Sequence, residues 1–154
     1  MNKLGFKFQR LPMRYLLGLL MVLLLCNCNN APKNNPKTTT ASIDLTNKGI
    51  GPVTHLEFDS IVDINMAERG DKIFGAKCTS CHMEESKLIG PAMKGIYERR
   101  SPEWVMNIML NPIEMLKKDP DASALLKEYN NVLMLNQNLT MEEARAIAEY
   151  LRTL

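Results

Sequence analysis

The sequence predicts an all-α domain in its C-terminal part. No stretch alternates apolar and polar residues convincingly with period two, which is the pattern of a half-buried strand. Thr140-Met141-Glu142-Glu143 is instead a capping box, and Ser101-Pro102-Glu103 places a capping serine, a proline and an acid in the order typical of a helix start. Apolar residues then recur at helical spacing, at Ala144, Ile147, Ala148 and Leu151.

The first predicted helix begins at Asn65, a favourable N-cap, and ends at Cys78. It contains Gly70, and a glycine inside a helix costs about 1 kcal/mol relative to alanine. A close helix crossing would explain this glycine. We therefore expect the last helix to cross the first one there, with Tyr150 packed on Gly70 and Phe74.

Two shorter helices are predicted between these two. The helix that starts at Ser101 presents an apolar stripe of Trp104, Val105, Ile108 and Met109. Asn111-Pro112 ends it, because proline lacks the N–H that a helix interior needs. Another helix is predicted from Asp121 to about Tyr129, with Met115 in the loop before it.

The five residues Cys78-Thr79-Ser80-Cys81-His82 carry the chemistry of the chain. A Cys-x-x-Cys-His run is the attachment sequence of c-type haem. The two thiols form thioethers with the vinyl groups on one porphyrin edge, and the histidine supplies an axial imidazole to the iron. The motif predicts one covalent haem c, bound by Cys78, Cys81 and His82.

Other readings of the motif remain open. A dithiol–disulfide redox pair of the thioredoxin type would need a βαβ context, which the pattern lacks. A structural zinc site needs four ligands, and the other cysteines, Cys26 and Cys28, lie in a leader segment. The second histidine, His55, is a candidate iron ligand, although an isolated histidine is more often a surface or packed residue.

Charge is unevenly placed along the 154 residues. The whole chain has a formal charge of +2, but four of its 19 basic residues precede position 15. A product that starts at Cys28 has 15 basic and 17 acidic residues, a formal charge of −2. No basic stripe interleaved with aromatic residues follows, so nucleic acid is not an expected partner.

Residues 1–28 are predicted to be a lipoprotein-type signal. Basic residues precede an apolar run from Tyr15 to Leu25, and this run is shorter than the roughly 20 residues that span a bilayer. A cysteine after such a run resembles a bacterial lipidation site, here Cys28, which a smaller residue precedes, with Cys26 as the alternative. Ordinary cleavage to a soluble periplasmic protein is the alternative, and either route exports the chain.

Residues 29–63 are interpreted as a flexible tether and a partly apolar extension. The part up to about Ser42 contains no hydrophobic residue larger than alanine or proline, so it cannot bury enough surface to become ordered. The part from Ile43 is too apolar for a free linker. It should either wrap against the following domain, 64–154, or bind a partner.

From about Asn65 to the end, the order of features resembles the small single-haem cytochrome c family. The matching features are Cys78–His82, Gly90-Pro91, the Trp104 helix, Met134 and the helix from Thr140. The resemblance implies a cytochrome c-like fold of short helices around one haem. It also implies that the Pro91 carbonyl accepts a hydrogen bond from the His82 ring, and that Met134 is the second axial ligand.

The other methionines fit the ligand position less well. Met106 and Met109 lie in a predicted helix, Met83 adjoins His82, and Met141 starts the last helix. In the family a proline often follows the ligand methionine, and here Leu135 follows Met134. Candidate partners of the haem propionates are Arg99, Arg100 and Trp104.

Iron bound by His82 and Met134 would have no open position for a substrate. Met/His ligation also raises the reduction potential, which suits electron transfer rather than oxygen activation. The expected function is thus a lipid-anchored, periplasm-facing electron carrier that docks briefly with redox proteins and is not an enzyme. The alternative is a five-coordinate haem protein that binds a gas or reduces peroxide.

The sequences Glu98–Trp104 and Ile108–Pro112 are similar to those of cytochromes that accompany periplasmic nitrous oxide reductase. This similarity indicates one candidate partner. A cytochrome oxidase or another periplasmic reductase would fit equally well.

Overall fold

Residues 43–154 are described by the computed structural model, and within them the secondary structure is helical. The helices are α1 (Ile64–Lys77), α2 (Pro102–Leu110), α3 (Pro112–Lys118), α4 (Pro120–Glu128) and α5 (Met141–Leu151), with a 3₁₀ turn at Ile96–Glu98. This part of the chain contains no strand, which confirms the all-α prediction. None of its helices is long and apolar enough to cross a membrane. The predicted signal, with Cys26 and Cys28, and the tether up to Ser42 lie outside the described residues.

Helices α1 and α5 cross at Gly70. A Cβ atom added there would lie 2.0 Å from the carbonyl oxygen of Ala146 and 2.9 Å from Cβ of Tyr150. The rings of Phe74 and Tyr150 pack beside this point, with centroids 5.5 Å apart. The expected crossing is confirmed, and the glycine allows the two backbones to approach.

The predicted starts of α5 and α2 are also confirmed. The Thr140 hydroxyl accepts a hydrogen bond from the N–H of Glu143 at 3.1 Å, and the Glu143 carboxylate accepts one from the N–H of Thr140 at 2.8 Å. Ser101 caps α2 by accepting from the N–H of Trp104 at 3.1 Å. The predicted stripe of α2 faces the core, with Trp104, Val105 and Met109 buried and Ile108 half-buried.

Three predicted details were wrong. Helix α1 is capped by Asp63 instead of Asn65, because the Asp63 carboxylate accepts from the N–H of Met66 at 3.0 Å. Helix α4 begins at Pro120, before Asp121, since Asp119 is its cap. Met115 lies inside α3 and is fully buried. The proline that ends α2 is also the first residue of α3, a position where a missing N–H costs nothing.

Residues 43–63, here called the strap, pack across α2 and α3. The side chain of Asn107 in α2 forms hydrogen bonds with the backbone of the strap. Its Oδ1 accepts from the N–H of Val53 at 3.0 Å, while its Nδ2 donates to the carbonyls of Val53 and Lys48 at 2.8 and 2.9 Å. The Ile50 N–H points at the Met115 sulfur, 2.9 Å away. Because Val53 is buried, these bonds satisfy backbone groups that water does not reach.

The end of the strap is fastened to α5. The guanidinium groups of Arg145 and Arg152 lie 5.1 and 4.5 Å from the ring centroid of Phe58. Arg152 also donates to the carbonyl of Asp59 at 2.6 Å. The strap therefore contacts the helices from Asn47 to Asp59 and brings the chain to the start of α1.

Candidate haem site

The Cys-x-x-Cys-His motif forms one tight turn at the end of α1. The N–H of Cys78, the C-cap residue of α1, donates the last bond of the helix to the carbonyl of Phe74 at 2.8 Å. The carbonyl of Cys78 then accepts from the N–H groups of both Cys81 and His82, at 3.0 and 2.9 Å. The turn thus holds two thiols and one imidazole within five residues, on a helix whose position is set by the α1–α5 crossing.

The imidazole of His82 is oriented by its neighbours. Its Nδ1 lies 3.0 Å from the carbonyl oxygen of Pro91, the hydrogen bond that the family resemblance implied. A carbonyl can only accept, so Nδ1 carries the proton and Nε2 keeps its lone pair for a metal. A Cβ atom on Gly90 would lie 2.5 Å from Cε1 of His82, so a larger residue there would push the ring away.

The loop after His82 is tied to α5 and to itself. The Tyr150 hydroxyl donates to the Glu84 carboxylate at 2.5 Å. The carbonyl of Glu84 accepts from the N–H groups of Met93 and Lys94 at 3.0 and 2.8 Å. These contacts fix the residues that follow His82 and so help to hold the histidine in place.

A cleft of about 730 Å³ lies beside the motif. This volume falls in the range of roughly 300–1,000 Å³ that is usual for cofactor sites. Its lining residues are Phe74, Thr79, His82, Met83, Glu84, Glu85 and Ser86. The cleft therefore extends from the buried Phe74 of α1 to the imidazole.

The thiol of Cys78 is poorly suited to dithiol exchange. Burial, only partly opposed by the charge of Lys77, raises the pKa of Cys78 to about 11. Reactive cysteines of redox pairs have a lowered pKa, because the thiolate is the attacking species. At neutral pH Cys78 is a neutral thiol, which disfavours the oxidoreductase reading.

The structure gives no support to a structural zinc site or to His55 as an iron ligand. Within residues 43–154 no three His, Cys, Asp or Glu side chains come together as a metal cluster. His55 lies on the strap, with its side chain 68% exposed and its Nε2 3.7 Å from the carboxylate of Glu57. A solvent-facing imidazole of this kind is ordinary surface structure.

Met134 lies in the coil between α4 and α5, half-buried against the core. Several competing methionines are placed less favourably. The sulfur of Met115 is buried and accepts from Ile50, and that of Met83 accepts from the Ser86 hydroxyl at 3.4 Å. The side chains of Met106 and Met109 are buried in α2.

Left-handed asparagines bracket the coil of Met134. Asn130 and Asn131 have φ of 57° and 59°, and Asn138 has φ of 51°. Asparagine adopts this conformation more readily than other non-glycine residues. Sequence reasoning missed these bends, although the asparagines on both sides of Met134 were the signal that could have indicated them.

Of the three candidate propionate partners, one has an unused buried donor. Trp104 donates its indole N–H to the Asp119 carboxylate at 2.9 Å. The guanidinium of Arg99 donates to backbone carbonyls in the turn of residues 92–95. The Nε of Arg100 is buried without a hydrogen-bond partner among the described residues. A buried cationic donor with no partner fits an anionic group of a bound cofactor.

The site residues therefore fit a haem c in their chemistry. They include two thiols, an imidazole with a free Nε2 that lines a cleft of adequate size, a thioether in a coil and an arginine whose buried Nε has no partner among the described residues.

Known proteins give the same assignment. The family model "Cytochrome c" matches residues 67–154. The solved cytochrome c from Rhodothermus marinus is 39% identical, with 67% of this chain and 88% of that chain covered and a TM-score of 0.65. An engineered form of that protein, Rma TDE, is 38% identical, with 67% and 89% covered and a TM-score of 0.65. No curated protein matches the chain significantly.

A further structure of the engineered Rhodothermus marinus protein holds a carbene intermediate, at 39% identity and a TM-score of 0.62, with 67% of this chain and 88% of that chain covered. Proteins of this family bind haem c covalently and are generally electron carriers, typically outside the cytoplasm. Cys78 and Cys81 are the candidate attachment cysteines. The family model covers more than half of the sequence, and the Rhodothermus marinus cytochrome is matched over most of its length. This chain belongs to the cytochrome c family.

Proposed function

We propose that this protein is a single-haem electron carrier in which Cys78 and Cys81 hold the haem as thioethers and His82 and Met134 are the axial ligands. The observation that carries the proposal is the hydrogen bond from His82 Nδ1 to the Pro91 carbonyl, which leaves Nε2 for iron. A bound haem supplies an iron that takes up and releases one electron.

Each proposed ligand has a distinct task. The Pro91 carbonyl fixes the tautomer and orientation of His82 and strengthens it as a ligand. The thioether of Met134 favours the ferrous state and so raises the reduction potential. Iron held by both His82 and Met134 would have no open position for a substrate, so the proposed role is that of a carrier and not of an enzyme.

Arg100 is the proposed partner of a haem propionate. Its unpartnered Nε and the planar guanidinium suit a carboxylate. The guanidinium also lies 5.1 Å from the ring centroid of Trp104. The indole would support the arginine from one side, while its own N–H remains with Asp119.

We further propose that the carrier is held on the periplasmic face of a bacterial membrane by lipidation of Cys28 or Cys26. The support is the sequence pattern of residues 1–28. Mass spectrometry of the membrane-extracted protein, with Cys28→Ser and Cys26→Ser compared, tests this. A diacylglyceryl mass lost in one variant identifies the site, and its absence from the wild-type protein would refute the anchor.

The proposed partner is a respiratory protein, such as a periplasmic nitrous oxide reductase, that docks transiently. This part rests on the resemblance of Glu98–Trp104 and Ile108–Pro112. Some of these side chains serve the fold, since Ser101 and Trp104 are buried and the Ser101 hydroxyl donates to the Asn47 carbonyl of the strap. Stopped-flow oxidation of the reduced cytochrome by the purified reductase would test the pairing.

Absorption spectra of the haem-loaded protein test the central proposal. The ferric wild-type protein should show a weak long-wavelength band from iron–sulfur coordination, and the ferrous protein should bind little carbon monoxide. Met134→Ala should lose the band, whereas Met141→Ala, an exposed methionine at the start of α5, should keep it.

Two other results would contradict the proposed electron carrier and favour a different function. High-spin haem that binds carbon monoxide readily in the wild-type protein would favour the five-coordinate reading, with gas or peroxide chemistry. Protein without covalent haem after expression with the haem-attachment machinery would return Cys78 and Cys81 to the role of a redox pair.

A further inference from the structure

Two lysines that flank the attachment motif contact the coil that carries Met134. Lys77, immediately before Cys78, donates from Nζ to the carbonyl of Gln137 at 3.2 Å. Lys87, in the loop after the motif, places its Nζ 4.1 Å from the ring centroid of Tyr129. Gln137 and Tyr129 lie on opposite sides of Met134 in the sequence.

We propose that Lys77 and Lys87 are positioning residues that hold the coil of Met134 to the haem-attachment segment and so keep the thioether on the iron. The inference rests on the proposed ligand role of Met134. It adds the contacts that hold this ligand in place, which the motif itself does not specify.

Apart from the packing of Met134 and Leu139 against the core, the coil has few other contacts that hold it. Its start is fixed by the end of α4, through the N–H of Asn131 to the carbonyl of Leu126 at 2.8 Å. For residues 133–139, in the part of the chain that the structure describes, the Lys77 bond is the one hydrogen bond that arrives from another element. The remaining bonds of this stretch are local, such as Gln137 Nε2 to the Leu135 carbonyl at 3.3 Å.

The two contacts differ in strength for physical reasons. Lys77 is half-buried, so its charge-assisted hydrogen bond is only partly weakened by water. It is also the last residue of α1, where the helix dipole favours a cation. Lys87 is exposed, and a cation–π contact at an exposed site is weaker. We expect Lys77 to contribute more than Lys87.

Carbon monoxide measures the effect, because it binds only where Met134 has left the iron. The apparent affinity of a ligand scales with the fraction of protein in the binding-competent state. Lys77→Met should therefore raise the carbon monoxide affinity of the ferrous protein about tenfold. Lys87→Met or Tyr129→Leu should each raise it about threefold. The Lys77→Met, Lys87→Met double variant should reach about thirtyfold if the contacts are independent.

Matched variants separate positioning from general stability. Lys72→Met removes an exposed lysine from the same helix and should leave the affinity unchanged. Lys77→Arg and Tyr129→Phe keep the donor and the ring, and should stay within about twofold of the wild-type value. The measurements are made without denaturant, and the far-ultraviolet circular dichroism spectrum of each variant should match that of the wild-type protein. Lys87→Met alters a single exposed side chain, so it provides the test if Lys77→Met does not fold and bind haem, with Tyr129→Leu as the change on the other side of the same contact.

The outcomes distinguish this inference from the ligand assignment. The inference alone would be overturned if the long-wavelength band depends on Met134 but Lys77→Met and Lys87→Met bind carbon monoxide no more tightly than Lys72→Met does. If Met134→Ala had the same absorption spectrum as the wild-type protein, both the ligand assignment and this inference would be overturned.

Discussion

The carboxylate of Glu149 in α5 accepts a hydrogen bond from the backbone N–H of Asp63, the residue that caps α1, at 3.0 Å. Glu149 is only 1% exposed, and Arg145 and Arg152 both pair with it. One buried carboxylate therefore joins the end of the strap and the start of α1 to the terminal helix. The helix that carries the attachment motif is thus fixed at its first turn by α5.

This arrangement makes the stability depend on pH. Burial alone would raise the pKa of the Glu149 carboxyl, but hydrogen bonds from Arg145 and Asp63 and the two guanidinium charges outweigh it and hold the pKa below its usual value. A carboxyl with a lowered folded pKa stabilises the fold above its unfolded pKa. That contribution is lost as the pH falls through the folded value.

Glu149→Gln should reduce the free energy of unfolding at pH 7 by about 1.5–3 kcal/mol, since hydrogen bonds to a charged group are lost. The difference from the wild-type protein should shrink below about pH 4.5. Urea denaturation of the haem-loaded protein at several pH values measures this. Glu68→Gln, at an exposed position of α1, is the control. A difference that stays constant down to pH 3 would contradict the assigned role of the carboxylate.

Gly70 and Gly75 provide a matched pair within α1. Gly70→Ala should destabilise the protein by about 1–3 kcal/mol, because the new methyl group would meet the backbone of Ala146. A Cβ atom on Gly75 would meet nothing within 4 Å. Gly75→Ala should therefore stabilise the protein by about 0.5–1 kcal/mol, through helix propensity alone. Thermal and urea unfolding measure the free energy of unfolding of both variants. Equal effects of the two changes would show that the backbones of α1 and α5 are farther apart at Gly70 than described.

Asn107 is expected to be the main anchor of the strap. Asn107→Ala leaves the buried N–H and carbonyl of Val53 without partners and should cost about 2–4 kcal/mol. Asn111→Ala removes a single bond to the Ile50 carbonyl, 3.1 Å long, and should cost about 1 kcal/mol. Hydrogen exchange at the Val53 amide reports the loss locally. Undiminished protection of that amide in Asn107→Ala would argue that the strap is held by its apolar contacts instead.

Arg100 should influence the reduction potential. A positive charge near the iron favours the ferrous form, which carries one positive charge less than the ferric form. Arg100→Met should therefore lower the potential measured by spectroelectrochemistry. Arg69→Met, at an exposed position of α1, should leave it nearly unchanged. Equal reduction potentials in the two variants would show that Arg100 does not lie near the haem propionates.

The features that the sequence predicted correctly are local ones. The turn at Cys78–His82, the capping box at Thr140 and the serine-proline start of α2 all depend on residues within a few positions of one another. Their hydrogen bonds close over a single turn, so the order of residue types is enough to specify them. The crossing at Gly70 is the exception, and there the cost of a helical glycine pointed to a distant partner.

Tertiary structure decided where α1 begins. Asn65 was the predicted cap, but Asp63 is the cap in the structure, and Glu149, 86 residues away, binds the N–H of Asp63. The Pro112 that ends α2 starts α3, where Met115 is buried beneath the strap.

The sequence by itself determined the haem-attachment turn, the helical class of the domain and the position of Met134 in a coil. Only the tertiary structure decided that residues 43–63 pack on the helices, that Arg100 keeps an unpartnered donor, and that Lys77 and Lys87 contact the coil of Met134. The physical reason is the range of the interactions. Turns and caps are completed by near neighbours, whereas buried polar groups take their partners from whichever part of the chain the packing brings to them.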